Sequence, residues 1–174
     1  MINCKPGLTL LLALVAMTST QGAEFSIDQE KSGDIAIHID GQLFTRYVTT
    51  DTVTNKCYFW PVIGPGGVKM TRAYPMQDIK GEKQDHPHHR SVCFGLQNAG
   101  GFNTWHEALT FTKNGKVDPS RMSTSGRQVH TKVIKAETSG MSATLVVECS
   151  NVNPRGEIYM RQTRKVKFHV SDNG

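Results

Sequence analysis

Apolar residues recur at every second position in several short segments, and this alternation limits the possible folds of the chain more than any other feature. In DIAIHID, residues 34–40, three isoleucines share one side of an extended chain. Asp40-Gly41 is typical of a tight hairpin turn into QLFTRYV. Similar segments are CYFWPVIGPGG, SATLVVECS and TRKVKFHV. Strands of this kind separated by turn residues predict an all-β antiparallel β-sandwich rather than a parallel sheet.

Two further features of the sequence refine this prediction. In SATLVVECS the alternation predicts one apolar face made of Ala143, Leu145, Val147 and Cys149. The stretch at residues 98–127 is instead rich in Gly, Asn, Ser and Thr and is long for a structureless loop. Long loops inside compact domains are usually functional or disordered, so we expect this stretch to be one or the other.

The N-terminal residues 1–23 have the layout of a secretory signal peptide. Lys5 precedes an apolar run at residues 8–17, and small and polar residues follow it. The run is too short to span a membrane. We therefore expect an exported protein, periplasmic or extracellular, whose mature part at residues 24–174 forms a single β-sandwich domain with no membrane span.

Charge and cysteine content exclude some classes of function. The net charge of +5 is mild, and the basic residues are spread along the chain, so a nucleic-acid partner is not expected. The predicted mature part contains Cys57, Cys93 and Cys149, an odd number that allows at most one disulfide. Their spacing matches no zinc motif, and we interpret them as structural cysteines.

Titratable side chains are concentrated in GEKQDHPHHRSVCFG, residues 81–95, directly before an apolar strand. In an extended chain His86 and His88 would share a face, with His89 opposite unless Pro87 bends the chain. A histidine near its ordinary pKa can accept and donate protons at neutral pH. Arg90 could hold a carboxylate or a developing oxyanion. These residues favour a site of acid–base chemistry.

A metal site is the alternative for the same histidines. His86 and His88 at i, i+2 on a strand could bind a divalent ion together with a carboxylate, as cupin-type sites do. The glutamate that such a motif has a few residues later is missing here. The positive charge of Arg90 would also repel a divalent ion beside it. We therefore expect no metal, with a divalent ion at His86 and His88 as the less favoured case.

A second cluster, FNTWHE at residues 102–107, joins an indole to polar side chains. The apolar face of a sugar ring stacks on tryptophan, and its hydroxyl groups need hydrogen-bonding partners nearby. Trp105 with His106 and Glu107 therefore predicts a carbohydrate site. Packing of Trp105 at the edge of the sandwich is the alternative interpretation.

Three motifs in residues 58–107 carry a resemblance to a known family. They are TRAYP at residues 71–75, DHPHHR at residues 85–90 and WHE at residues 105–107. In these motifs the chain resembles the PmoA-like family of exported bacterial proteins, labelled "methane oxygenase PmoA". The resemblance implies a galactose-mutarotase-like sandwich of the supersandwich type and an association with carbohydrate degradation. It also implies that this chain is the N-terminal part of a longer family domain, incomplete at its C-terminus.

Together these observations predict an exported carbohydrate-active protein that acts on a sugar or uronate by histidine acid–base chemistry. The reaction would be epimerisation or cleavage of a glycosidic bond by proton abstraction. The candidate catalytic residues are His86, His88 and His89. The candidate substrate-binding residues are Arg72, Asp85, Arg90, Trp105, His106 and Glu107. The ligand would be a small molecule or an oligosaccharide. A cupin-like metal enzyme and a non-catalytic carbohydrate-binding module stay open as alternatives.

Overall fold

The structure is a computed structural model that describes residues 22–49, 51 and 53–171. Residues 1–21 of the predicted signal peptide lie outside this part of the chain. Residues 172–174 also lie outside it. The predicted incompleteness of the domain at its C-terminus therefore falls outside the described residues.

Five antiparallel strands form the larger sheet, in the spatial order β1-β2-β3-β4-β5. They are β1 (Phe25–Gln29), β2 (Ile35–Ile39), β3 (Gln42–Val48), β4 (Tyr58–Val62) and β5 (Val92–Cys93). The predicted hairpin is confirmed, because β2 and β3 pair antiparallel. Asp40 and Gly41 between them have φ angles of 51° and 74°, the left-handed conformation that a tight hairpin turn uses.

The long polar stretch after β5 contains only short elements. A 3-10 helix (Ala108–Phe111) leads into the small hairpin of β6 (Thr112–Lys113) and β7 (Lys116–Val117), and the α-helix α1 (Pro119–Met122) follows. The Asp118 side chain caps α1 by accepting a hydrogen bond from the N–H of Ser120. Within the described residues, no helix is long and apolar enough to cross a membrane.

Three long antiparallel strands form the second sheet. They are β8 (Arg127–Ser139), β9 (Ser142–Val152) and β10 (Ile158–His169), with β9 in the centre. The chain is therefore mostly β with antiparallel sheets, as the alternation predicted. The predicted strand in TRKVKFHV lies within the second half of β10, and the one in SATLVVECS begins β9.

The hydrophobic core lies where the two sheets face one another. The larger sheet and the residue before β4 contribute Phe25, Ile35, Ile37, Tyr47, Cys57 and Phe59. The smaller sheet contributes the predicted face of β9, namely Ala143, Leu145, Val147 and Cys149, and none of these four is more than 2% exposed. Every second side chain of β9 points into this core, which explains the period of two in its sequence.

The strand β8 was not predicted, although it has 13 residues. Its pairing with β9 shifts register between His130 and Lys132 and again between Val133 and Lys135. Each irregularity inserts a residue and exchanges the two faces of the strand. The apolar residues of β8 therefore lose the simple alternation that identifies its neighbour in the sequence.

Candidate active site

Four imidazole rings and one indole lie against one another, and we call His86, His88, His89 and His106 with Trp105 the histidine cluster. The ring of His88 lies at the centre, with centroids 4.4 Å from His89, 4.7 Å from His106 and 5.7 Å from Trp105. Trp105 also lies 5.5 Å from His89. The structure thus brings together two sequence segments that we interpreted separately, DHPHHR and WHE.

The backbone at His86–His89 is a turn, not an extended strand. The N–H of His89 donates to the carbonyl of His86 at 2.9 Å, and His86 has a φ of 47°. As a result the rings of His86 and His89 stack, with centroids 5.0 Å apart and an interplanar angle of 15°. The chain bends here, which is the exception that the sequence analysis allowed for Pro87, so His89 stacks on His86 instead of lying opposite it.

Arg72 and Asp85 hold this turn in place. The Arg72 guanidinium donates to Asp85 Oδ1 at 2.8 Å and to the backbone carbonyls of Asp85 and His86 at 2.6 and 2.7 Å. This hydrogen bond from Arg72 keeps the pKa of the Asp85 carboxyl below its usual value. Asp85 Oδ2 lies 3.3 Å from His86 Nδ1. Both residues, which we predicted as substrate-binding, thus position His86 through these contacts.

Beneath the histidine cluster lies a group of buried charges around Glu107, which we call the buried charge centre. Arg90 donates to both Glu107 oxygens, with Nη2–Oε1 at 2.7 Å and Nε–Oε2 at 3.0 Å. Lys56 Nζ lies 3.4 Å from Oε2, and the Thr54 hydroxyl donates to the same oxygen at 2.7 Å. Arg90 also reaches Asp51 at 3.3 Å. Two cations therefore meet two carboxylates.

The side chains of Arg90 and Glu107 lie beneath the surface rather than open to a ligand. Glu107 is 0% exposed and Arg90 2%. A buried charge is tolerated when an opposite charge and hydrogen bonds compensate it, and these two residues compensate one another. This differs from the sequence expectation, in which both contacted substrate. Their contacts instead join the loop before β5 to the loop that carries Trp105.

Sequence reasoning missed Lys56 and Thr54 in the charge centre. Lys56 has a side chain that is 0% exposed, and it lies in TNKCYF just before β4. Burial lowers the pKa of Lys56, against the attraction of Glu107. Its ammonium also donates to the backbone carbonyl of His88 at 3.5 Å. A lysine two residues before a buried strand was the signal available in the sequence, because a buried lysine needs an anion nearby.

His88 is also anchored through its ring. Its Nδ1 lies 3.2 Å from the hydroxyl of Thr110, which accepts a hydrogen bond from the backbone N–H of Glu107 at 3.3 Å. Thr110 belongs to the 3-10 helix that follows Glu107. His88 is therefore held by the segment that supplies the buried carboxylate, and it is only 7% exposed.

Asn103 determines the neutral tautomer of His106. The Asn103 side-chain oxygen accepts hydrogen bonds from the backbone N–H groups of Trp105 and His106 at 2.9 and 3.0 Å. Its amide nitrogen, 3.1 Å from His106 Nδ1, is then the donor to that ring. Neutral His106 consequently carries its proton on Nε2. Sequence analysis did not identify Asn103.

Three rings of the histidine cluster, those of His88, His89 and His106, are neutral at neutral pH. Burial lowers the pKa of His88 to about 4, and the nearby rings of His89 and His106 act in the same direction. Burial also lowers the pKa of His89 and of His106. Within the described residues, no group of three or more His, Cys, Asp or Glu side chains is arranged to hold a metal ion. A neutral imidazole ring has one nitrogen that donates a hydrogen bond and one that accepts it.

Two cavities lie away from the histidine cluster. The larger, of about 780 Å³, lies at one end of the core and is lined by Phe25, Ile39, Leu43, Phe44, Ile63 and Phe168, among others. The smaller, of about 130 Å³, lies between β5 and β10 and is bordered by Cys57, Cys93 and Arg164. Both are mainly apolar, and neither contains a residue that the sequence predicted as part of the site.

The low pKa of His88 predicts that the protein becomes less stable in mild acid. The unfolded chain binds a proton at His88 near pH 6.5, whereas the folded chain does so only near pH 4. Between these values the unfolded state binds more protons, so the free energy of unfolding falls as the pH falls. We expect a loss of about 1–3 kcal/mol across this window in urea unfolding.

His88→Asn should reduce the loss of stability between pH 6.5 and pH 4. His169→Asn, at the exposed end of β10, should leave that loss unchanged. Equal pH dependence in wild type and His88→Asn would show that His88 is not the titrating group.

Comparison with known proteins identifies the family of the chain. No curated protein and no solved structure matches it. The model of the "Family of unknown function (DUF6807)" matches residues 34–174, a range that includes β2 to β10 and the whole histidine cluster. The chain therefore belongs to the family of unknown function DUF6807.

Proposed function

We propose that the chain is an exported carbohydrate-active protein that binds a sugar or uronate at Trp105 and transfers a proton through the histidine cluster. The observation that carries this proposal is a cluster of four imidazole rings, two of which (His88 and His89) contact the indole of Trp105, above a buried charge centre. An indole gives a sugar ring an apolar surface, and neutral imidazoles supply donors and acceptors for its hydroxyl groups. The ligand would be a monosaccharide or an oligosaccharide.

Hydrogen-bonding groups next to Trp105 support a polar ligand with an apolar face. Trp105 is partly exposed, and the rings of His88 and His89 meet it at interplanar angles of 62° and 63°. His106, beside it in sequence, carries a proton on Nε2 when neutral. A sugar stacked on the indole would find one donor and several ring nitrogens at its edge.

Among the candidate catalytic residues, His89 is the best placed for proton transfer. It is exposed, and burial lowers its pKa, so it is a neutral base at pH 7. His88 is the more buried ring, is held by Thr110 and has a pKa of about 4, which makes it a poor acid or base at neutral pH. We therefore assign proton transfer to His89, with His86 stacked beside it. The reaction class is epimerisation or cleavage of a glycosidic bond by proton abstraction.

The proposal also includes a more specific fold type and the export of the protein. The motifs shared with PmoA-like exported proteins imply a galactose-mutarotase-like supersandwich, and two antiparallel sheets that share one core are compatible with it. Mutarotase-like proteins act on sugars, which agrees with an indole site. The signal-peptide layout of residues 1–23 supports export to the periplasm or the cell exterior.

Intrinsic fluorescence can test sugar binding at Trp105 directly. The chain has two tryptophans, Trp60 and Trp105, so Trp60→Phe leaves Trp105 as the single indole emitter. We expect a panel of neutral sugars and uronates to include a ligand that changes this emission. In calorimetry, Trp105→Ala should weaken binding of that ligand about five- to tenfold, because aromatic stacking contributes roughly 1–1.4 kcal/mol beyond burial.

The same panel distinguishes the alternatives. Binding of a sugar without its conversion would favour a non-catalytic module, and activity that requires a stoichiometric divalent ion would favour the cupin-like enzyme. A ligand that binds Trp60→Phe and Trp60→Phe/Trp105→Ala equally would contradict a site at Trp105.

A further inference from the structure

The outer face of the three-stranded sheet is strongly basic. Alternate side chains of its strands point away from the core, and directly paired residues lie on the same side of the sheet. In the rows at residues 144–150 of β9, this outer side carries two carboxylates, Glu137 and Glu148, and five exposed cations. The face therefore holds a net charge of +3, against +5 for the whole chain. We call its cations the basic face, namely Lys132, Lys135, Arg161, Lys165 and Lys167.

The two carboxylates compensate only the lysines of β8. Lys132 Nζ lies 3.9 Å from Glu148, and Lys135 Nζ lies 2.7 Å from Glu137. In the part of the chain that the structure describes, no ion pair involves the three cations of β10, namely Arg161, Lys165 and Lys167. The excess positive charge of the basic face is therefore carried by one strand.

The cations of β10 follow a line along the edge of the sheet. Among the described strands, β10 pairs with β9 alone, so its other edge is open. At about 3.4 Å per residue, Arg161 and Lys167 are roughly 20 Å apart along the strand. The exposed Thr163 lies between them on the same face. A linear polymer with an anionic group on its repeating units can meet all three cations, whereas a single small anion cannot.

We propose that the basic face binds an anionic polysaccharide, a chain of uronate units whose carboxylates meet Arg161, Lys165 and Lys167. Complementary charge supports this partner, because a surface of one sign attracts a polymer of the opposite sign and fixes its orientation. The hydroxyl groups of Thr144 and Thr163 on the same face offer hydrogen bonds to the sugar hydroxyls. This inference rests on the proposed function for the carbohydrate nature of the ligand, and it gives that ligand a contact outside the histidine cluster.

Binding to immobilised sodium polygalacturonate provides a direct test. We expect the protein to bind this polymer but not its fully methyl-esterified form, which has the same sugar backbone without the carboxylate charge. Binding should be lost between about 0.01 M and 1 M salt, because the screening length falls from roughly 30 Å to 3 Å over this range. Equal binding of the charged and the esterified polymer would overturn the proposal, and so would stronger binding to vesicles of anionic phospholipid than to polygalacturonate.

A pair of charge-reversed variants locates the binding surface. Lys165→Glu/Lys167→Glu should weaken polygalacturonate binding at least about fivefold, because two exposed attractions become repulsions. Lys113→Glu/Lys116→Glu makes the same change of charge at exposed positions of the β6–β7 hairpin and should bind like the wild type. Equal weakening in both variants would indicate an effect of net charge alone. Unchanged binding in Lys165→Glu/Lys167→Glu would leave these lysines the role of keeping an edge strand unpaired. Either result would overturn the proposal.

Trp105→Ala separates this inference from the proposed function. Polygalacturonate binding that survives Trp105→Ala and is weakened by Lys165→Glu/Lys167→Glu supports the basic face, whether or not a sugar binds at Trp105. Binding of a monosaccharide at Trp105 without any binding of the polymer contradicts the basic face and leaves the proposed function intact.

Discussion

Glu107→Ala should lower the free energy of unfolding by about 3–5 kcal/mol. The Glu107 carboxylate is the only partner shared by Lys56, Arg90 and Thr54 among their described contacts, and its side chain is 0% exposed. Its removal would leave the buried ammonium of Lys56 and the nearly buried guanidinium of Arg90 without enough negative charge nearby to compensate them. Uncompensated buried cations are costly because the protein interior does not replace their hydration. Urea unfolding at neutral pH measures the loss.

Two variants make this prediction specific. Glu137→Ala removes an exposed glutamate that pairs with Lys135 at 2.7 Å, and it should change stability by less than about 1 kcal/mol. Lys56→Met should cost less than Glu107→Ala, because Arg90 and Thr54 would still hold the carboxylate. A Glu107→Ala protein as stable as Glu137→Ala would show that the buried charge centre does not support the fold.

His89→Ala should lower the turnover of a sugar substrate by about 10²–10⁴-fold, the usual contribution of a general acid or base. Trp105, the proposed stacking surface, remains in this variant, so KM should change little. In the wild type, kcat/KM should fall as the pH falls through the lowered pKa of His89, which lies below the usual histidine value. Steady-state kinetics on the sugar identified by the binding panel measures both effects.

His169→Ala and His88→Ala are the control variants for this loss of turnover. His169→Ala, at the exposed end of β10, should leave turnover unchanged. A loss of turnover in His88→Ala, with His89→Ala still active, would move proton transfer to the more buried ring. Full activity in both variants would contradict histidine chemistry at this cluster.

The local sequence was sufficient to predict those elements whose geometry depends only on neighbouring residues. The β2–β3 hairpin follows from alternating isoleucines and an Asp-Gly turn, and the buried face of β9 follows from apolar residues at every second position. Both patterns act over a few residues, because side chains alternate along a strand and a tight turn needs particular φ angles. Strand β8 was not predicted, because two register shifts interrupt the alternation of its apolar residues.

The sequence by itself also determined which residue types the candidate site contains, since DHPHHR and WHE place histidines and an indole in two short motifs. Only the tertiary structure decided which groups each of these residues contacts. Arg90 and Glu107 are 17 positions apart and meet as a buried pair, and Lys56 joins them from a loop 51 positions before Glu107. Pairing across such distances depends on how the loops pack against the sheets. The order of residues along the chain does not show which charge will be buried beside which partner, because burial and pairing are properties of the folded chain.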